Sequence, residues 1–498
     1  MDRDDLVPAL GNWTQGSGPL HARLSDALRR TIGGGNVATG ARLPAERSLA
    51  RFLGVSRNTV IAAYETLRAE GLVSSLQGSG TYVLGSDAAS SGGFASNLDL
   101  DFRGRLVPPR PAVQSAMLLG LGIGGNAIEF TGGSVPAEPV VTREVLLEAA
   151  QEAALHLDTA GYVPFGLAPL RVAIAAHLTA RGVPTTESEV LVTTGAQQAI
   201  SLSVALLVSP GAAVAVEDPT YTGALDVLRL AGAALESLPV DSDGVRVDAI
   251  AEVIARTHPA AVYLCPTFQS PTGVCLSAGR RRELARLLDE TGTPLIEDDA
   301  LAETWLGEGP PPPPPVAALA RRAPVLTLGS LSKVFWGGLR VGWIRATPDV
   351  VDRLARLKVA VDHGSSIPSQ AAAIRLFPTI GQAIAVRRAI ANERLDLMRS
   401  LLSDALPDWK HERPRGGLLL WVRLPRGSGY EFAQVALRHG VAVVPGGLAS
   451  PSGTMQEFLR MPFGLEPEAM SEGVRRLARA WSTYDEALPT GAAVRVIV

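Results

Sequence analysis

Val325-Leu326-Thr327-Leu328-Gly329-Ser330-Leu331-Ser332-Lys333-Val334-Phe335-Trp336-Gly337-Gly338-Leu339-Arg340-Val341-Gly342 decides how the rest of the chain reads. The run Val325 to Leu328 has the continuous hydrophobicity of a strand buried on both faces, and it delivers Ser330 and Lys333 to its carboxyl end. Lysine is scarce in this protein: of 46 basic residues in a chain of 498, only Lys333, Lys358 and Lys410 are lysines. An amine, unlike a guanidinium, loses its proton and condenses with an aldehyde to a Schiff base. Seven residues on, Arg340 supplies a fork that grips a phosphate held also by the two hydroxyls. An aldehyde and a phosphate on one small molecule point to pyridoxal phosphate. On this stretch alone a surface lysine following a strand stays open as the plainer reading.

Working outward, strands of the buried parallel type alternate with helical stretches from about Ile128 onward, which predicts an α/β sheet with ligands at the carboxyl ends of its strands. Several of those ends carry suitable chemistry. After Val190-Leu191-Val192-Thr193 the turn through Gly195, Ala196 and Gln197 opens a helix, whose free amides bind phosphate; an ordinary strand-to-helix turn looks the same. After Val214-Ala215-Val216 comes Glu217-Asp218-Pro219-Thr220-Tyr221, which sets the Tyr221 ring against a planar cofactor or simply packs it. After Ala261-Val262-Tyr263-Leu264 the turn Pro266 to Gly273 brings backbone to the same edge. After Pro294-Leu295-Ile296 stand Glu297, Asp298 and Asp299. Paired acids can bind a metal, but a pyridine cofactor needs a single carboxylate to keep its ring nitrogen protonated. No metal site is expected.

The amino-terminal stretch reads differently. Leu20, Leu24 and Leu28 recur at helical spacing until Gly33-Gly34-Gly35, a second short helix carries Leu49, Phe52 and Leu53, and Gly54-Val55 turns the chain into a third helix capped by Ser56. Leu72 to Ser74 and Thr81 to Val83, around Gln77-Gly78-Ser79-Gly80, form a hairpin with a glycine-rich tip. Together these predict a winged helix-turn-helix. Its third helix would bring Ser56, Arg57 and Thr59 to phosphates and base edges, with Arg47 at the backbone and Gly78 and Gly80 in the wing.

Composition agrees with such a division. The chain is too long for one core and suggests two or three domains. Hydrophobic residues at 46% with 19% charged mark a globular protein, no run of about 18 apolar residues exists to span a membrane, and the acidic start Met1-Asp2-Arg3-Asp4-Asp5 is the reverse of a secretory leader, so the cytoplasm is expected. Ser17 to Leu84 holds eight arginines against four acids, although the whole chain is at −3. A basic module on an acidic body is what a nucleic-acid reader joined to something else would look like. Cys265 and Cys275 lack metal-ligand spacing and read as buried thiols. Residues 86–126, rich in Ser, Gly, Ala and Pro, read as a flexible linker, and Pro310 to Pro315 as an exposed polyproline loop.

Leu43-Pro44-Ala45-Glu46-Arg47-Ser48-Leu49-Ala50, Gly54 to Val60, Tyr64, Leu67, Gly71-Leu72 and Gly78 to Thr81 closely resemble the GntR-type DNA-binding domain. The strand-end motifs of the large domain resemble a fold-type I aminotransferase, and the whole chain resembles the MocR subfamily of GntR-type transcriptional regulators. The fold class expected is therefore α/β, with a winged helix-turn-helix over residues 1–85, the linker, and an aminotransferase-like domain over 127–498 whose large part is about 160–370 and small part about 371–490. The resemblance implies that Lys333 carries pyridoxal 5'-phosphate as a Schiff base, and that Asp298 pairs with the pyridine nitrogen. Gly195, Ala196, Gln197, Ser330, Ser332 and Arg340 would then surround the phosphate, with Tyr221 on the ring. Arg460 would take the carboxylate of a substrate or effector, and Tyr162, in Gly161 to Gly166, would reach the cofactor of the other subunit of a homodimer. The chain departs from the pattern at Ala300-Leu301, where relatives carry a tyrosine, and at Ser270, where many aminotransferases carry asparagine; the His-Gln common in the regulators is Phe268-Gln269. These departures bear on catalysis more than on cofactor binding. The implied function is a transcriptional regulator that binds operator DNA and senses an amine, amino acid or vitamin B6 compound. The rival is a working aminotransferase with an inert amino-terminal appendage.

Overall fold

A computed structural model describes residues 10, 13–14, 18–33, 37, 41–70, 72–76, 80–83, 127–133, 137–307 and 311–487. The expected linker and Gly78 lie outside these described residues. The amino-terminal module contains α1 (Leu20–Gly33), α2 (Glu46–Leu53), α3 (Arg57–Ala69) and the antiparallel wing β1 (Val73–Leu76) and β2 (Gly80–Val83). Leu24 and Leu28 of α1, Leu49 and Leu53 of α2, and Val60, Ala63, Tyr64 and Leu67 of α3 close one core. α2 stops at Gly54, whose φ of 59° is left-handed backbone that glycine adopts without strain, and Ser56 caps α3 by accepting from the Thr59 N–H.

The rest of the described chain holds two further sheets. In order it runs β3 (Ile128–Phe130), α4 (Arg143–Ala154), α5 (Ala168–Ala180), β4 (Val190–Thr193), α6 (Ala196–Leu207), β5 (Ala213–Asp218), α7 (Thr222–Leu230), β6 (Ala234–Asp241), β7 (Gly244–Val245), α8 (Val247–Thr257), β8 (Ala261–Leu264), α9 (Ala278–Thr291), β9 (Leu295–Asp298), β10 (Val325–Ser330) and β11 (Gly342–Arg345). There follow α10 (Pro348–Asp362), α11 (Ile367–Leu376), α12 (Ile380–Ala405), β12 (Lys410–His411), β13 (Leu419–Arg423), α13 (Gly429–Arg438), β14 (Val441–Pro445), β15 (Phe458–Pro462) and α14 (Pro467–Ala487).

The large sheet has the order β4-β11-β10-β9-β8-β5-β6-β7. Its middle, β10-β9-β8-β5-β6, is parallel, while β11 and β7 run against their neighbours. Successive side chains of one strand serve opposite faces: Val214 and Val216 pack with α6 and α7, and Ala215 with α8 and α9. Burial on both faces explains the unbroken hydrophobic runs seen in the sequence, and the parallel middle brings the ends of β5, β8, β9 and β10 to one edge.

The second sheet, β12-β13-β15-β14-β3, packs under α12, α13 and α14. Its edge strand β3 comes from far upstream and pairs in parallel with Val441 to Val443. The amino-terminal module rests on this unit. Tyr430 and Leu448 join its core, the Phe52 and Tyr430 rings stack with centroids 6.5 Å apart, and Arg438 Nη1 donates to the Leu53 carbonyl at 2.6 Å. The proline run is only partly the exposed loop expected: Pro315 is buried, and the fully buried Arg281 donates to the Pro314 carbonyl at 3.1 Å.

Candidate functional site

β10 ends on Ser330, which is bonded to Gly342 across the sheet. Ser330 Oγ donates to Ser332 Oγ at 3.0 Å and accepts from the Ser332 N–H at 3.2 Å, so the two hydroxyls stand together. Across β11, Gly195 opens α6 at φ 117°, and a Cβ placed on it would lie 3.3 Å from Arg340 Nη2. The guanidinium therefore packs directly over a bare backbone turn. Ala196 is the first residue of α6, and Gln197 donates to the Gly223 carbonyl at 2.9 Å while accepting from the Tyr221 hydroxyl at 3.2 Å.

Lys333 donates to the Gly133 carbonyl at 2.8 Å. Burial, with the repulsion of Arg460 added, brings its amine down to about 8, and Asp298 opposes the shift. Asp298 is buried, which raises its carboxyl, while bonds from the Tyr263 hydroxyl at 2.7 Å and the Ala300 N–H at 3.1 Å pull the other way. Arg460, on β15, donates to the Thr131 carbonyl; its buried Nε has no hydrogen-bond partner among the described residues. Burial also lowers the Arg460 guanidinium against an attraction from Tyr221. Lys333, Asp298, Arg460 and Tyr221 thus share one electrostatic environment, although their strands lie far apart in sequence.

Tyr162 is not gathered with them. It is 70% exposed and leans on His363, ring centroids 5.3 Å apart. On the DNA side, Ser56, Arg57 and Arg47 are exposed, Thr59 is half-buried, and Arg57 pairs with Glu46 at 3.0 Å. Gly80 stands at φ 117° with Arg42 packed where a Cβ would go.

Three groups near the site escaped the sequence reading. Tyr263, read only as strand, bonds Asp298. Glu217, at the end of β5, is wholly buried and accepts from the Cys265 N–H at 2.8 Å; burial pushes its carboxyl up to about 8. Lys358, whose side chain is fully buried, meets both Asp362 carboxylate oxygens at 2.7 Å. Asp362 also accepts from Gln198, and Gln198 in turn accepts from the Thr194 N–H at the mouth of α6. Burial lowers the Lys358 amine in spite of that pairing.

Residues 132–477 match the family Aminotransferase class I and II, and residues 20–83 match the bacterial regulatory proteins of the gntR family. The chain belongs to the class I and II aminotransferases. Fused to its amino-terminal segment, that domain makes the chain a GntR-type regulator of the MocR kind. The probable rhizopine catabolism regulatory protein MocR of Rhizobium meliloti is 30% identical over 495 residues, 95% of this chain and 96% of that protein. The 2-aminoadipate transaminase of Thermus thermophilus is 34% identical, covering 71% of this chain and 89% of its own. Among solved structures, LysN, the α-aminoadipate aminotransferase of that organism complexed with N-(5'-phosphopyridoxyl)-L-leucine, superposes with a TM-score of 0.65 at 32% identity, covering 73% of this MocR-type chain and 94% of the other. Pyridoxal phosphate is the cofactor of this family member. No described helix is long and apolar enough to cross a membrane.

Proposed function

We propose that this MocR-type regulator holds pyridoxal phosphate at Lys333 and uses the site to sense an amine or amino acid, changing how a homodimer presents its DNA-binding modules to operator DNA. The observation that carries the reading is that Lys333, lowered to about 8 by burial and by Arg460, shares its surroundings with an Arg460 whose buried Nε has no hydrogen-bond partner among the described residues: a nucleophilic amine near a cation that can take a carboxylate. The residues suit the cofactor. Gly195 to Gln197, Ser330, Ser332 and Arg340 form a backbone, hydroxyl and guanidinium cradle for a phosphate, and Asp298, held by Tyr263, offers a buried carboxylate to a protonated ring nitrogen. When bound, the cofactor supplies an electron sink. Lys333 supplies the amine and can hold or release a proton near neutral pH, and Arg460 orients a carboxylate by its planar fork.

A homodimer is supported by apolar exposure: Leu147 is 59%, Leu155 78%, Leu157 83% and Val361 66% exposed, on segments that flank Tyr162 and His363. Ala300-Leu301 and Ser270 stand where aminotransferases carry tyrosine and asparagine, so binding is expected to outlast turnover. The deciding experiment reduces the loaded protein with borohydride and maps the modified peptide, then titrates amino donors while following operator affinity and keto-acid release with 2-oxoglutarate or pyruvate as acceptor. The reading expects label on Lys333 and altered operator affinity without sustained turnover. Label on Lys358 or Lys410 would overturn the cofactor site, and turnover of about 1 per second or above with unchanged operator affinity would replace the reading with the aminotransferase one.

A further inference from the structure

The first turn of any α-helix leaves its N–H groups without partners inside the helix, and at α6 the cap residue Gly195 has no side chain to take one. That keeps the turn open to an anion, and it also leaves the turn unheld. Gln198, the third residue of α6, holds it from behind: its Oε1 accepts from the Thr194 N–H at 2.9 Å, just ahead of the cap. The Nε2 of the same amide donates to Asp362 at 2.6 Å, and the Lys358 amine reaches Gln198 Oε1 at 3.3 Å as well as both carboxylate oxygens of Asp362 at 2.7 Å. An amide whose oxygen faces two donors and whose nitrogen faces an acceptor has one orientation. Both charged residues come from the carboxyl end of α10, and the Gly364 N–H donates to Asp362 at 3.0 Å. The Lys358 side chain is wholly buried. Burial would raise the Asp362 carboxyl, but the bonds from Lys358 and Gln198 hold it below its usual value, so it is an anion at neutral pH. A carboxylate behind a turn shaped for phosphate repels the ligand, and Lys358 cancels that charge where it stands.

We infer that Lys358, Asp362 and Gln198 are positioning residues for the cofactor's phosphate: the Lys358–Asp362 pair fixes the Gln198 amide that holds the start of α6, and Lys358 neutralises the carboxylate that does the fixing. The role is exercised through the turn from Thr194 to Gln197, as outer partners orient the groups that hold a ligand. It rests on the cradle of Gly195 to Gln197, Ser330, Ser332 and Arg340 proposed above, and not on operator binding. Its consequence has a sign. Removing the Lys358 charge leaves Asp362 uncompensated and repels phosphate, whereas removing the Asp362 charge leaves a cation and does not, although each change breaks the same contact. A pair that only fastened α10 to α6 would lose in both cases.

The test titrates full-length protein, stripped of cofactor, with pyridoxal 5'-phosphate and with pyridoxal, which has the same ring and aldehyde and no phosphate. The ratio of the two dissociation constants is the phosphate preference, and a general loss of stability or of ring contacts, which weakens both ligands, cancels from it. Lys358→Met should lower the preference about ten-fold, and Gln198→Glu, which sets a second carboxylate behind the turn, at least as much. Asp362→Asn should leave it equal to the parent's or above it, and Lys358→Met with Asp362→Asn should return it to within about three-fold of the parent's. If Lys358→Met does not fold, Gln198→Glu against Asp362→Asn gives the same contrast. Arg340→Met removes a guanidinium of the cradle itself and should lower the preference. A fall with Arg340→Met but none with Lys358→Met, or equal falls with Lys358→Met and Asp362→Asn, would overturn the inference and leave the cradle standing. No fall with Arg340→Met would displace the cradle, and the positioning role with it.

Discussion

Arg57 and Glu46 offer a test in which two neighbouring substitutions should push operator affinity in opposite directions. Arg57 is the first residue of α3, and its guanidinium is held by Glu46 of α2 at 3.0 Å, with side chains 49% and 31% exposed. An ion pair so open to water is worth at most about 1 kcal/mol, less at raised salt, so it parks the guanidinium without fixing it. Arg57→Ala should leave folding stability within about 0.5 kcal/mol of the parent. If Arg57 reads a base edge, operator binding should weaken by about 1 to 3 kcal/mol, roughly 5- to 150-fold, with sequence preference relaxed. If it meets only phosphate, the loss should be smaller and the salt slope should fall by about 1. Glu46→Gln removes a carboxylate from the same face and frees Arg57, so binding should tighten by up to about 1 kcal/mol. The assay is fluorescence anisotropy on a fragment recovered by genomic pull-down, repeated at several salt concentrations, with thermal unfolding alongside. Affinity, preference and salt slope all unchanged in Arg57→Ala, or tighter binding lost rather than gained in Glu46→Gln, would refute the placement of α3 against DNA.

Loading of pyridoxal phosphate into the apo protein should follow the neutral fraction of Lys333. With that amine at about 8 rather than 10.5, the loading rate should rise as pH increases through 8 and level above it, and at pH 7 it should exceed that of an ordinary lysine roughly 300-fold; stopped-flow absorbance reads it directly. Lys358→Met should destabilise the protein by roughly 1 to 3 kcal/mol, because Asp362 keeps Gln198 and the Gly364 N–H as partners, whereas Lys358→Met with Asp362→Leu should recover most of the loss, as read from urea midpoints. Tyr263→Phe removes a 2.7 Å bond to Asp298 worth roughly 1.5 to 3 kcal/mol, so cofactor release should quicken about ten-fold or more, followed by loss of the visible band.

What could be read from the chain alone was whatever shows in local pattern. The buried strand before Lys333, the helix spacing of α1 to α3 and the Ser56 cap are written in consecutive residues, so they are visible without a fold. Contacts that join distant segments are not. Tyr263 meets Asp298 across 35 residues, Gln198 meets Asp362 across 164, and Lys333 meets Gly133 across 200, and nothing in the spacing of either partner announces the other. Tyr263 was hidden by its surroundings, since a tyrosine within Ala261 to Leu264 is an ordinary residue of a buried strand. The pairing of β3 with β14 is equally silent, because three residues of strand carry too little pattern to declare their neighbour. Pro315 is buried in a way a proline run does not display: the neighbouring Pro314 carbonyl accepts from the buried Arg281, 33 residues upstream.

The segment after β3 gives the protein a threshold. Lys333 and Arg460 both donate to its main-chain carbonyls, at Gly133 and Thr131, so a carboxylate coming to Arg460 competes with an acceptor tethered to the same chain. A tethered competitor acts at a high and constant effective concentration, and it weakens the apparent affinity of every ligand by the fraction of time the cations are already engaged. On the proposed reading, a carboxylate has to displace the Thr131 carbonyl from Arg460, so the site would answer only to a large pool of its ligand, and the displaced acceptor sits directly after β3.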